Sequence, residues 1–181
     1  IRVEDVEELM NAAIALSRQP PMCGDNVAIV SNVGGPAILA ADAVVRNNLK
    51  LAALSEKTRG KIEGLYPGVD ATNPIDIIAD ARAERYSKVL ELVLADKNVD
   101  GVLIINMLKS CFFEPKDAKV IPKIAAKYPN KPVVDVPAGG EDFALVYEVL
   151  GNTNIPLYNL PEKAVEALKI LRIYSKIVDK H

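Results

Sequence analysis

The chain has 181 residues, half of them hydrophobic and a quarter charged, which is enough to bury the core of one domain with an element or two to spare. Its 24 acidic and 22 basic side chains leave a net charge of −2, so there is no field for nucleic acid or an anionic membrane, and the scarcity of aromatics, with no Trp, excludes base-stacking platforms. No apolar run approaches the ~18 residues of a membrane span and no signal peptide is recognisable, so a cytoplasmic protein with neither nucleic-acid nor membrane partners is expected.

In chain order, Val6, Leu9, Met10, Ala13 and Ile14 recur at helical spacing, which predicts an amphipathic arm that stops before Pro20-Pro21. Residues 1–24 are therefore read as a helix and linker, and residues 25–181 as one domain. The pattern then alternates: strand 26–31, helix 36–47, strand 50–54, helix 56–65, an extended piece at 72–78 and helix 82–95. Strand 101–106, helix 115–128, strand 132–136, helix 140–150, a short strand at 155–158 and helix 161–178 follow. Strands that read as continuous apolar runs between helices imply a parallel sheet covered on both faces. The expected fold is α/β: a three-layer, flavodoxin-like sandwich with an N-terminal helical arm.

One stretch carries most of the chemistry. Val27-Ala-Ile-Val-Ser-Asn-Val-Gly-Gly-Pro-Ala37 runs from an apolar strand through two glycines and a proline into a helix. The first N–H groups of a helix have no internal acceptor, its dipole places roughly half a positive charge there, and glycines let an anion approach the bare backbone. Asn32, Val33, Gly34, Gly35, Pro36 and Ala37 are thus a candidate phosphate site, with an ordinary strand-to-helix turn as the alternative. Such sheets bind ligands beyond the carboxyl ends of their strands, where strand order reverses. The turns after Ile105 and Val136 leave that edge too, and Thr72-Asn-Pro-Ile-Asp76 joins them as either a capped loop or a further wall.

Several common uses of the fold are disfavoured. Ser31-Asn-Val-Gly-Gly-Pro36 lacks both the G-x-G-x-x-G spacing of a dinucleotide site and the Gly-Lys-Ser/Thr of a P-loop. It also lacks the hydroxyl-rich loop and aromatic walls of a flavin mononucleotide site, and the strand-end carboxylates of a phosphoacceptor domain are replaced by Ser31, Asn32 and Asn106. Cys23 and Cys111 have no metal-ligand spacing, and the sole histidine is His181, the last residue, so neither a metal site nor phosphohistidine chemistry is expected within the chain. Ile1 in place of an initiating methionine leads us to expect a longer parent.

Val27-Ala-Ile-Val-Ser-Asn-Val-Gly-Gly-Pro-Ala-Ile-Leu-Ala-Ala-Asp42, Thr72-Asn-Pro-Ile-Asp76, Asp96-Lys-Asn-Val-Asp-Gly-Val-Leu-Ile104 and Gly139-Gly-Glu141, in that order, resemble the NDP-forming acyl-CoA synthetases. That family includes the archaeal ADP-forming acetyl-CoA synthetases and is similar to succinyl-CoA synthetase. The resemblance spans nearly the whole chain and implies the last flavodoxin-like domain of the α portion. It implies the reaction acyl-CoA + NDP + phosphate ⇌ acid + NTP + CoA, through an acyl phosphate and a phosphohistidine. The helix that starts at Gly34-Gly35-Pro36 matches one of two helix ends that face the phosphoryl group. The partners implied are a CoA-binding domain, a domain with the phosphorylated histidine, and an ATP-grasp subunit or segment. CoA, ATP or ADP, and Mg²⁺ are assigned to that full enzyme, with no cofactor and no covalent catalyst in this chain. Asn73, Asp76, Asn106, Met107 and Leu108 are the implied contacts to the organic acid. Met107-Leu-Lys109 stands where succinyl-CoA synthetase has a glycine-rich loop, which leaves the acid open, and packing on a neighbouring domain is the other reading of that loop. The rival functions are a regulatory or acyltransferase-fused relative without ligase activity, and a free-standing small-anion binding module.

Overall fold

The computed structural model describes residues 1–107, 113–138 and 140–178, the side chains of residues 140–143 excepted. Its centre is the pair β1 (Asn26–Ser31) and β4 (Gly101–Met107), parallel from Val27↔Gly101 to Ser31↔Ile105. β5 (Val133–Ala138) continues the sheet beside β4, and Leu157 adds a single bridge to Asp135 at the edge. On the other side of β1, two short strands share one lane: β2 (Lys50–Leu51) beside its start and β3 (Ile75–Asp76) beside its end. All named strands pair in parallel, as the expected α/β architecture requires.

Alternation along the strands sorts the core into two faces. Ile29, Leu103, Ile105 and Val134 point toward α1 (Val6–Arg18), α2 (Gly34–Arg46) and α7 (Pro161–Val178). Ala28, Val30, Ile104 and Val133 point toward α3 (Glu56–Leu65), α4 (Ala83–Ala95), α5 (Val120–Ala125) and α6 (Gly140–Leu150). α4 shows why these helices form: Tyr86, Val89, Leu90, Val93 and Leu94 make one buried stripe. Each such side chain contributes about 1.5–3 kcal/mol of transfer free energy against the entropy of ordering it. α1 and α3 are capped by Asp5 and Ser55, whose side chains accept from Glu8 N–H and Thr58 N–H.

The chain leaves β1 for α2 on one face and leaves β4 for α5 on the other, so strand order reverses between these two strands. The segment between α1 and β1 is packed: Met22 is fully buried, the Gln19 amide bonds to Val133 N–H and Asn154 C=O, and Gly24 lies where a Cβ would come within 2.1 Å of Asp100 Oδ2.

Several boundaries differ from the sequence reading, each for a local reason. α2 starts at Gly34, two residues early, because Pro36 sits inside the first turn, where its missing N–H has no acceptor to lose. The strand expected over 50–54 ends at Leu51, since the Asn73 carboxamide takes the lane: its Nδ2 donates to Val27 C=O and Ala52 C=O, and its Oδ1 accepts from Ile29 N–H. The extended piece at 72–78 is regular strand only at Ile75–Asp76. The helix expected over 115–128 is a 3₁₀ turn, Pro115–Lys119, that continues into α5, shorter than read. At 155–158 there is one bridge rather than a strand.

Candidate functional site

The turn that leads into α2 sits at the β1/β4 reversal, the position where sheets of this kind hold ligands. Ser31 is buried, and its Oγ both accepts from Val33 N–H (3.1 Å) and donates to Val33 C=O (2.8 Å), which fixes the turn. The N-cap residue of α2, Val33, makes no side-chain cap bond. Gly34 and Gly35 are exposed, and a Cβ added at either would meet nothing within 4 Å. Two exposed glycines thus stand in the first turn of a 13-residue helix, at its positive end, where backbone N–H groups have no acceptor within the helix, while Val33 and Pro36 flank them half-buried and Ala37 anchors the turn in the core.

Asn32 ties this turn to the neighbouring strand. Its Oδ1 accepts from Met107 N–H (2.8 Å) and its Nδ2 donates to Met107 C=O (3.1 Å), a two-bond grip across the reversal. Beneath it lies Tyr86 of α4, fully buried against the Phe113 ring at 4.5 Å. Its hydroxyl donates to Ile105 C=O and accepts from Asn32 N–H. Burial, with the nearby Asp135 carboxyl adding to it, pushes the Tyr86 hydroxyl well above its ordinary range, so it stays a neutral donor.

Asp135 and Asn106 complete this buried layer. Both are fully buried on adjacent strands, Asn106 near the end of β4 and Asp135 within β5, and Asn106 Nδ2 donates to Asp135 Oδ1 at 2.6 Å. Burial raises the Asp135 carboxyl to about 7, against the smaller pull of the hydrogen bonds from Asn106 and from Val136 N–H.

The residues singled out in the sequence divide accordingly. Asn32 to Ala37 form one turn, with Asn106 and Met107 alongside it. Asp76 lies one lane over, level with Ser31; it is exposed, and its Oδ1 accepts from Ile78 N–H, where the backbone takes a φ of +67°, a left-handed conformation costly for a β-branched residue. Asn73 is not brought to the turn, because its amide is spent within the sheet. Leu108, Cys111 and His181, and the glycine of the Gly139-Gly-Glu141 motif that precedes α6, lie outside the described residues. Asp135 was missed as a site residue, although an acid within the apolar run Val133-Val-Asp-Val136 was the available signal. Among the described residues, no cluster of acids, cysteines and histidines is placed to hold a metal ion, and no helix is long and apolar enough to cross a membrane.

Comparison with known proteins bears on the family and the fold. The family model of the Ligase-CoA domain matches residues 27–174, most of the chain. The chain belongs to the Ligase-CoA domain family. Relatives of this Ligase-CoA domain include the ADP-forming 4-hydroxybutyrate–CoA ligase of Nitrosopumilus maritimus, 32% identical over 97% of this chain and 25% of the relative. The α subunit of the ADP-forming acetate–CoA ligase II of Pyrococcus furiosus is 34% identical over 96% of this chain and 38% of that subunit. Among solved structures, a protein of Pyrococcus horikoshii OT3 superposes with a TM-score of 0.91 at 33% identity, covering 97% of this chain and 41% of that one. The acetyl-coenzyme A synthetase 1 of Ca. Korarchaeum cryptofilum, solved in complex with phosphate and ADP, gives 0.86 at 25% identity, over 97% and 38%. The resemblance read from the four motifs is thereby borne out, as is the α/β fold. This Ligase-CoA domain spans about a quarter to two-fifths of the relatives it matches.

Proposed function

We propose that this chain is the part of an ADP-forming acid–CoA ligase that meets the phosphoryl group at the start of α2. The observation that carries the reading is the pair of exposed, uncapped donors at Gly34 and Gly35, at the strand-order reversal of a domain whose relatives are CoA ligases. A transferring phosphoryl group spreads negative charge that fixed dipoles stabilise without reorganising. Nothing in this role requires the chain to form a covalent bond. CoA, ADP or ATP, and Mg²⁺ are held by the rest of the longer enzyme in this reading, as is the histidine that accepts the phosphoryl group. Asp76 and Met107, both reachable from solvent, border the place assigned to the organic acid, while Asn106 supports it from below and Asn73 belongs to the sheet.

The chain alone should bind phosphate weakly. One helix end contributes up to ~2 kcal/mol, which corresponds to a Kd above about 1 mM when nothing opposes it from a second domain. Following backbone amide shifts during a phosphate titration is the test, with the largest shifts expected at Gly34 and Gly35. Shifts that cluster elsewhere and leave those two amides unmoved would remove the basis for the proposal. The same sample should form no acyl-CoA from acid, ATP and CoA.

A further inference from the structure

We propose that Asp135 carries a proton on Oδ2 and shares it with Asn106 Oδ1, so that the two side chains close as an acid–amide pair that positions the end of β4 against the phosphate turn. Two atoms in the buried layer have no hydrogen-bond partner among the described residues: Asn106 Oδ1 and Asp135 Oδ2. They belong to the same two side chains that already share the 2.6 Å bond from Asn106 Nδ2 to Asp135 Oδ1. An ionised carboxylate only accepts, so it leaves both atoms as unpaired acceptors in a fully buried site. A carboxylic acid has one donor and one acceptor, and an amide has the complementary set. One proton on Oδ2 therefore satisfies both atoms at once. Turning the Asn106 amide over gives the same result, because oxygen would then face oxygen and need a proton between them.

The surroundings favour the neutral form. Burial raises the Asp135 carboxyl, and among the described residues no lysine, arginine or histidine acts to hold it charged. The ionisable groups nearby are Tyr86 of α4 and, acting on Tyr86, Asp76 of β3, and both are acidic. Neither steadies a second negative charge.

The pair also has a mechanical place. Asn106 is held from β5 by Asp135, and the next peptide, at Met107, is held from the β1 side by Asn32. Asn32 directly precedes Val33, which opens α2. The last two residues of β4 are thus fixed from both flanks, and loss of the proton removes one of the two bonds on the β5 side while the bond from Asn106 Nδ2 to Asp135 Oδ1 remains. Asp135 is in this sense a positioning residue for the anion turn, and its role at that turn rests on the function proposed above.

A pH titration of the chain, read on carbon-13 resonances of side-chain carboxyls with Asp135 assigned by its loss in Asp135→Asn, tests the pair. The Asp135 signal should titrate near 7, and the Met107 and Asn32 amides should shift with the same midpoint. In Asp135→Asn an amide–amide pair replaces the acid–amide pair without a titrating proton, and that midpoint should vanish from both amides. Sulfate, whose charge is constant over this range, then serves as the anion probe. Its affinity at the Gly34 and Gly35 amides should weaken several-fold from pH 6 to pH 8 in the unmodified chain and stay constant in Asp135→Asn. An Asp135 carboxyl that titrates in the ordinary range, or Met107 and Asn32 amides that ignore its titration, would overturn the proposal. Absence of sulfate from Gly34 and Gly35 at every pH would instead overturn the phosphate reading, and the carboxyl titration would still decide the pair.

Discussion

Replacing Gly35 by aspartate in the full-length protein, proposed above to be a ligase, should slow phosphoryl transfer by about 100-fold or more, while the domain folds as before. The two effects separate because they depend on different physics. A carboxylate in the first turn of a helix interacts favourably with the dipole, by about 0.3–1 kcal/mol, so stability should hold or rise slightly. The new Cβ meets nothing within 4 Å, and the core is untouched. The same carboxylate occupies the space an incoming phosphoryl group needs and opposes it by charge. Loss of one preorganised donor to a developing anion costs ~3 kcal/mol, and charge repulsion adds to that. CoA binding, assigned to another domain, should change little. A thermal melt, a CoA titration and a phosphorylation time course on the same variant check the three parts.

Stability should also fall as pH rises between about 4 and 7, the reverse of the usual acid-side trend. Asp135 goes from an ordinary value of 3.8 in the unfolded chain to about 7 in the fold, so over that interval the native state binds more protons than the unfolded one. The stabilisation is complete below about pH 4 and is lost as pH climbs through 7. About three units at about 1.4 kcal/mol each correspond to a loss on the order of 4 kcal/mol. Carboxylates with lowered values act with the opposite sign: Asp25, hydrogen-bonded by Arg172, and Glu91, bonded by Lys127, contribute stability that is lost as pH falls through their lowered folded values. The profile should therefore peak near pH 4 to 5. Urea midpoints from pH 4 to 8 measure it, and Asp135→Asn should flatten the descending limb. A stability that rises from pH 4 to 7 would show that Asp135 is ionised in the fold.

What could be read in the sequence was what depends on neighbours along the chain. The limits of β1, α3, α6 and α7 follow from periodicity and caps, and they fall where expected. The turn at Gly34-Gly35 announced itself because strand, glycines and helix are contiguous. Elements that depend on a distant residue were not legible. Asn73 looks like a site residue in Thr72-Asn-Pro-Ile-Asp76, yet its amide ends β2 by bonding to Val27, Ile29 and Ala52, 21 to 46 residues away. Asn106 was picked out for its loop, while its bonding partner Asp135 is 29 residues further on and reads as an isolated acid in a strand. Tyr86 was placed correctly on the buried stripe of α4, but its hydroxyl bonds to Ile105 C=O and Asn32 N–H appear only when the sheet is assembled.

In the proposed function, backbone N–H groups at the start of α2 stabilise the phosphoryl group, and Gly34→Pro tests this without adding charge. Proline is favoured at the first helical position, and Val33 before it is already extended at φ −143° and ψ 123°, as a residue preceding proline prefers. The substitution removes one donor and leaves the fold intact. Single-turnover phosphoryl transfer in the full-length ligase should fall by about 100-fold, with a melting temperature equal to or above that of the unmodified enzyme. A rate equal to that of the unmodified enzyme in this variant would show that the α2 donors do not act on the phosphoryl group and reduce the turn to a structural joint.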